Sequence, residues 1–301
     1  MGILDAIGNT PLIKLSKIAN GLEDVTIYAK AEYLNPSGSV KDRAASAMIL
    51  DGIKSGKLTK ERTIIDATSG NTGIGYAMIG AALGYKVSVV IPANASAERK
   101  QIMKAYGADI IETSPLESSD GAYNMVQKLV KENPEKYYYP DQYNNDNNWI
   151  AHYETTGKEI WEQTNHEITH FVVGAGTSGT FMGNSRRLKE FNPDIKVIFM
   201  QPDSPFHGIE GMKHMETTIK PGILDESISD GMILVGTKDA YIMMRRLAKE
   251  EGLFVGISSG ANVVAAYKVA KTLPKGSKVV TVLCDNGSRY ISEPIWRDDK
   301  I

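Results

Sequence analysis

His170-Phe171-Val172-Val173-Gly174-Ala175-Gly176-Thr177-Ser178-Gly179-Thr180 reads as a strand, a loop of small residues and the start of a helix. The strand portion is apolar after its first residue, as expected of a strand covered on both faces. The loop offers backbone amides and three hydroxyls at a helix N-terminus, a combination that suits a phosphate. The same unit recurs upstream, where Thr63–Ala67 runs into Thr68-Ser69-Gly70-Asn71-Thr72-Gly73 and then a helix. Further strands are predicted at Thr26–Ala31, Lys86–Ile91, Asp109–Glu112, Lys196–Gln201 and Lys278–Cys284. Helices are predicted at Lys41–Ser55, Gly73–Leu83, Ala97–Tyr106, Gly121–Asn133, Ala151–Gln163, Thr180–Glu190, Asp239–Glu251 and Ala261–Thr272. Alternating strands and helices of this kind build parallel sheets with right-handed crossovers, so the fold class is α/β.

The chain has 301 residues, 42% hydrophobic and 23% charged, which is ordinary globular composition and enough length for two lobes. Lys136–Asn148, rich in Tyr and Asn, breaks the alternation and reads as a long linker or site loop where the lobe changes. Lys213–Glu226, with Pro221 and Gly222, is a second irregular connection. A net charge of -2 argues against nucleic acid as the main partner. One cysteine, Cys284, excludes an internal disulfide and paired-cysteine metal sites, and a reducing cytoplasm is the natural compartment. Cys284 ends an apolar strand and reads as a packing residue. Met103, Met125, Met243 and Met244 read as core. The first 20 residues lack a secretory pattern and no apolar run would span a bilayer, so a soluble intracellular protein is expected. The five histidines show no ligand spacing, and no metal site is expected.

In open α/β sheets ligands bind beyond the carboxyl ends of the strands. The Thr68–Gly73 loop combines hydroxyls, an asparagine and helix-start amides, which suit a carboxylate. The Gly174–Thr180 loop also matches G-x-G-x-x-G. A dinucleotide would need an acidic residue about 20 positions on, at the end of the next strand. Asp203 comes late and follows Pro202, and the wealth of hydroxyls favours a terminal phosphate instead. Gly256-Ile257-Ser258-Ser259-Gly260 places two serines before another helix, either as caps or as a hydroxyl for a ring nitrogen. Lys41 follows the turn Asn35-Pro36-Ser37-Gly38-Ser39-Val40 and opens a helix. A lysine held there can be desolvated, as a Schiff-base or general-base lysine requires. Lysine, phosphate loop, carboxylate loop and ring-nitrogen hydroxyl together are the parts of a pyridoxal phosphate site.

These residues resemble the pyridoxal phosphate-dependent cysteine synthases (O-acetylserine sulfhydrylases) of fold type II, relatives of cystathionine β-synthase. The resemblance runs from Ile7-Gly8-Asn9-Thr10-Pro11-Leu12, through His152-Tyr153-Glu154-Thr155-Thr156-Gly157-Lys158-Glu159-Ile160-Trp161, to Gly287-Ser288-Arg289-Tyr290-Ile291-Ser292. Ile168-Thr169-His170-Phe171 and the uninterrupted Gln201–Asp230 region bring it closest to the B-type enzymes. It implies a tryptophan synthase β-like fold of two lobes, each a twisted, mainly parallel sheet flanked by helices. Residues 36–148 would form a smaller mobile lobe, and residues 1–35 and 149–301 a larger one. It implies that Lys41 carries the cofactor and acts as the base. Asn71 would bond the ring hydroxyl oxygen, Gly176, Thr177, Ser178, Gly179 and Thr180 would hold the phosphate, and Ser258 would face the pyridine nitrogen. Thr68, Ser69, Thr72 and Gln142 would bind the substrate carboxylate.

The sequence departs from the family pattern at Ser178, where many members have glycine, and at Asp285-Asn286. It also departs at Lys213 and His214, where a cationic pair could select an anionic substrate group. The reaction implied is β-replacement on O-acetylserine or O-phosphoserine by sulfide, through an α-aminoacrylate, to give L-cysteine. Formation of cystathionine or lanthionine, or release of sulfide from cysteine, are the neighbouring alternatives. An NAD-dependent oxidoreductase is the rival of another class. A homodimer and serine acetyltransferase as a partner are also implied.

Overall fold

The computed structural model describes residues 2–68 and 70–296. Strands β1 (Leu12–Lys14) and β2 (Thr26–Lys30) come first. They are followed by β3 (Thr63–Ala67), β4 (Val87–Pro92), β5 (Asp109–Thr113) and β6 (Tyr137–Tyr138). Strands β7 (His170–Gly174), β8 (Lys196–Pro202), β9 (Gly231–Val235) and β10 (Lys278–Val282) complete the set. They form a four-stranded sheet ordered β5-β4-β3-β6 and a six-stranded sheet ordered β1-β2-β10-β7-β8-β9. Every pairing is parallel except β1 with β2. The α/β architecture read from the alternation is the one observed.

Helices α1 (Lys41–Lys54), α2 (Asn71–Leu83), α3 (Ala97–Ala105) and α4 (Ser118–Glu132) belong to the first half of the chain. They are followed by α5 (Asn147–Glu154), α6 (Thr156–Gln163), α7 (Gly179–Phe191), α8 (Thr237–Glu251) and α9 (Ile257–Ala270). Alternate residues of β7 serve opposite faces of the larger sheet. Val172 joins Met244, Leu247, Val263 and Ala266 of α8 and α9, whereas Phe171 and Val173 join Phe181 and Leu188 of α7. Burying each large apolar side chain contributes roughly 1.5–3 kcal/mol, and β3 and β4 are buried at every position, Thr63, Asp66 and Ser88 included.

Three expectations need correction. The helix predicted over Ala151–Gln163 is two helices, α5 and α6, because Thr155 leaves helical geometry (φ -123, ψ -77). Its hydroxyl donates back to the Ala151 carbonyl at 2.5 Å and accepts from Arg43 at 3.0 Å, the local competition by which threonine disturbs helices. Lys136–Asn148 is not wholly irregular. Tyr137 and Tyr138 are buried and pair with Thr63 and Ile64 as β6, and Asn147 and Asn148 already begin α5. Strands β1 and β9 lie outside the predicted set. Both are edge strands, and β9 leaves Met232 and Leu234 half exposed.

Candidate active site

Each sheet changes the direction of its strand order once near its middle. In the smaller sheet β4 and β5 lie on one side of β3 and β6 on the other; in the larger sheet β8 and β9 lie on one side of β7 and β10 on the other. Loops leaving the carboxyl ends of strands at such a point diverge and leave a crevice. The two crevices share one cleft of about 460 Å³. Thr68, Asn71 and Thr72 enter it from the loop after β3, and Gln142 from the segment after β6. Gly176, Thr177, Ser178 and Thr180 come from the loop after β7, Ser258 from the start of α9, and Lys41 from the start of α1. Ser69 lies outside the described residues. Gly179 is buried behind the loop and His214 stands outside the cleft, turned to Thr217 and Glu216.

Lys41 is half-buried, and its Nζ makes no hydrogen bond or ion pair with any described residue. Burial pushes the Lys41 ammonium below its usual range, against the opposing pull of Cys284 and Asp285. The turn before it is fixed by Asp42, whose carboxylate accepts from the Ser37 amide at 2.6 Å and from the Ser37 hydroxyl. Two residues on, Arg43 enters a buried ion network. It makes two 2.8 Å bonds to Glu32 of the segment after β2 and bonds of 2.7 and 2.8 Å to Glu159 of α6. Lys30 of β2 meets the same Glu159 at 2.6 Å. Such two-pronged arginine pairs fix geometry as well as charge, so the first turn of α1 is anchored to the larger sheet.

The backbone amides of Gly176 to Thr180 donate to no described group. They gather at the N-terminus of α7, where a helix concentrates partial positive charge. The backbone packs tightly there, and a Cβ on Gly176 would come within 2.1 Å of the Gly211 carbonyl oxygen. Ser178 adopts a left-handed conformation (φ 68) and donates from Oγ to the Thr177 carbonyl at 2.6 Å. Five amides without acceptors and a lysine without a partner among the described residues fit a group carrying both a phosphate and an aldehyde.

Thr72 donates from Oγ1 to Oε1 of Gln142 at 2.8 Å, and Gln142 Nε2 donates to the Ala67 carbonyl. Thr68 Oγ1 accepts from the Gly70 amide at 2.9 Å and holds the loop's curve. Lys213 is buried at the cleft wall, 3.4 Å from Asp120 of α4, with its Nζ 4.9 Å from the Tyr143 ring centroid. Burial lowers its pKa, with Asp120 opposing. Arg99 of α3 and Glu210 of the loop after β8 form a second ion pair across the same opening.

Several contributors lie outside the expected set. Asn148 Nδ2 donates to the Gln142 carbonyl at 2.6 Å and to Thr177 Oγ1 at 3.1 Å, joining the carboxylate and phosphate segments. His152 is buried with Nε2 3.3 Å from Thr180 Oγ1. Burial first, and the Arg43 charge second, hold its pKa down at about 3, so it is neutral. The motif around His152 was the available signal, but nothing in a linear sequence places its ring against Thr180. Cys284, expected to be plain packing, does pack against both cores of the larger sheet, yet it also lines the cleft, with Asn262 Nδ2 3.3 Å from its sulfur. Burial, reinforced by Asp285, pushes its thiol up to about 12.

Fold and cleft define a cofactor enzyme built around one lysine and one phosphate cradle. The sequence matches the family described as "Pyridoxal-phosphate dependent enzyme" over residues 3–285, and the chain belongs to that family. It is 54% identical over 301 residues to a cysteine synthase of Aquifex aeolicus, covering 98% of this chain and 92% of the relative. It is 41% identical over 295 residues to cysteine synthase B of Escherichia coli, covering 97% and 95%. The crystal structure of a hydrogen sulfide-producing enzyme from Fusobacterium nucleatum superposes with a TM-score of 0.91 at 40% identity, covering 96% of this chain and 98% of that one.

Proposed function

We propose that this protein is a cysteine synthase, joining sulfide to Cβ of an activated serine with loss of the activating group. The observation that carries the reading is the half-buried Lys41, without a partner among the described residues, in one cleft with the amides of Gly176–Thr180, which donate to no described group. When bound, pyridoxal phosphate supplies an electron sink for bond breaking at the substrate's Cα. Lys41 would hold the cofactor, Gly176, Thr177, Ser178, Gly179 and Thr180 its phosphate, and Asn71 its ring hydroxyl. Ser258, which lines the cleft, would offer its hydroxyl to the ring nitrogen, a neutral partner that suits departure of a Cβ substituent. Thr68, Ser69, Thr72 and Gln142 hold the substrate carboxylate and orient Cα toward Lys41. The Lys41 amine, once free, takes the Cα proton, a role its lowered pKa serves. Residues 36–148 act as the smaller lobe and close on residues 1–35 and 149–301, excluding water while Cβ awaits sulfide.

Lys41→Ala tests this. Wild type is expected to be yellow and to make cysteine from O-acetylserine and sulfide, and the variant to be colourless and inactive. Full turnover by Lys41→Ala overturns the reading. Offering sulfide, thiosulfate and homocysteine in turn, and cysteine alone, separates cysteine formation from cystathionine formation and sulfide release. The single cysteine supports a cytoplasmic setting. The half-exposed Met232 and Leu234 on edge strand β9 support a homodimer that covers them, which sedimentation would test. Serine acetyltransferase is the partner the family resemblance suggests, and co-purification tests it.

A further inference from the structure

The side-chain amide of Asn71 is gripped from both ends. Its Nδ2 donates to Oδ2 of Asp285 at 2.8 Å, and its Oδ1 accepts from Nη1 of Arg289. An ionised carboxylate only accepts and a guanidinium only donates. Turning the amide over would set oxygen against oxygen and N–H against N–H, so only one orientation is allowed. One Nδ2 hydrogen is taken by Asp285, and the other is left for whatever occupies the cleft that Asn71 and Lys41 both line.

The two gripping residues are themselves firmly placed. Asp285 is fully buried just beyond β10, and its Oδ2 also accepts from the Tyr290 hydroxyl at 2.7 Å. Its backbone bridges to Ser39, two residues before Lys41, and its carbonyl accepts from the Gly256 amide at 3.0 Å, two residues before Ser258. The space for its Oδ1 exists because residue 256 is glycine. A Cβ there would come within 2.1 Å of that oxygen. Arg289 is buried too, and its Nη2 donates to the Ser37 carbonyl in the turn that leads to Lys41. One contact set thus touches the turn before Lys41, the start of α2 and the start of α9.

We propose that Asp285 and Arg289 are positioning residues that set the polarity of the Asn71 amide, so that its remaining Nδ2 hydrogen is presented to the ring hydroxyl oxygen of the cofactor. The inference rests on the reading of Asn71 as the ligand of that oxygen. It assigns the two residues a role exercised through Asn71, with no contact of their own to the cofactor.

A double-mutant cycle on the holoenzyme tests it. Asp285→Asn keeps the shape but can turn nitrogen as well as oxygen toward Asn71 and Tyr290, which removes one of the two grips on the Asn71 amide. The readouts are the dissociation constant of pyridoxal phosphate, measured by its release on dilution, and the share of long-wavelength absorbance. Asp285→Asn and Asn71→Ala are each expected to weaken binding about tenfold, a coupling of about 1.4 kcal/mol, and to drain the long-wavelength band. In the double variant the Asp285→Asn effect should vanish. Arg289→Gln, whose amide can meet Asn71 with either oxygen or nitrogen, run against Asn71→Ala should repeat the pattern, and it carries the test should Asp285→Asn fail to fold. Effects that add in full overturn the proposal and leave Asp285 and Arg289 as structural residues. An Asn71→Ala variant with unchanged affinity and spectrum overturns it differently, by removing Asn71 as a cofactor ligand while leaving Lys41 and the phosphate loop untouched.

Discussion

Thr72 and Gln142, seventy residues apart, share a 2.8 Å hydrogen bond in which the Thr72 hydroxyl donates to the Gln142 side-chain carbonyl. Both are buried, and both belong to the segment pair that leaves β3 and β6 in opposite directions. The bond fixes which end of the Gln142 amide is left to meet a carboxylate. Thr72→Val, which removes only the hydroxyl, is therefore expected to raise KM for the amino-acid substrate about tenfold, within the range for a buried polar group left unpaired. Gln142→Ala should do the same, and the double variant should be little worse than Gln142→Ala alone. Steady-state kinetics on the three variants decides the point. Full additivity would mean that each residue meets the substrate independently.

Lys213 is held by a long 3.4 Å contact to Asp120, which leaves its charge open to an incoming anion. Lys213→Ala should lower kcat/KM for O-phosphoserine about tenfold more than for O-acetylserine, because a charge-assisted bond would be lost only with the former. His214, turned to Glu216 and Thr217, should leave the ratio unchanged when replaced. An equal loss on both substrates removes selectivity from Lys213.

Ser178 occupies backbone space that favours glycine, at φ 68. A left-handed conformation costs an ordinary residue roughly 1–2 kcal/mol, and the Oγ bond to Thr177 offsets part of it. Ser178→Gly is expected to stabilise the protein by about 1 kcal/mol and to raise Tm by roughly 2 °C. Calorimetry showing a lower Tm would mean that the hydroxyl bond outweighs the backbone cost.

Glu159 provides the pH prediction. Burial opposes its ionisation, but Arg43 and Lys30 outweigh burial and hold its carboxyl at about 2, below the ordinary 4.5. A depressed folded pKa gives stability that is complete above pH 4.5 and is lost as the pH falls toward 2. Glu159→Gln should cost about 3 kcal/mol at pH 7, and the deficit should shrink between pH 4.5 and pH 3. Denaturant melts across that window check it. A deficit that stays constant with pH would assign the cost to shape and not to charge.

The parts of the site that a sequence displays are those that sit in loops beside recognisable strands. Thr68–Thr72 and Gly176–Thr180 follow that rule, Lys41 and Ser258 stand at helix starts after short turns, and the structure brings all but Gly70 and Gly179 to one cleft, Ser69 lying outside the described residues. Asn148, Asp285, Arg289 and the Arg99–Glu210 pair were not legible, because their roles depend on contacts between segments up to 218 residues apart. Periodicity likewise revealed seven of the ten described strands, edge strand β5 among them; β1 and β6, three and two residues long, are too short to display it, and β9 is missed despite its apolar run Met232–Val235. The break at Thr155 escaped because part of its setting, the bond from Arg43, comes from 112 residues away.

The position of β10 bears on how the protein is made. Lys278–Val282 lies between β2 and β7, inside the larger sheet, although it is the last strand among the described residues. A polypeptide emerging from the ribosome can complete the four-stranded sheet once Tyr138 is out. The six-stranded sheet must wait for Lys278–Val282, with the facing edges of β2 and β7 unpaired until then. The crevice at the phosphate loop, which opens between β10 and β8 on either side of β7, therefore takes shape only once β10 has paired with β2 and β7.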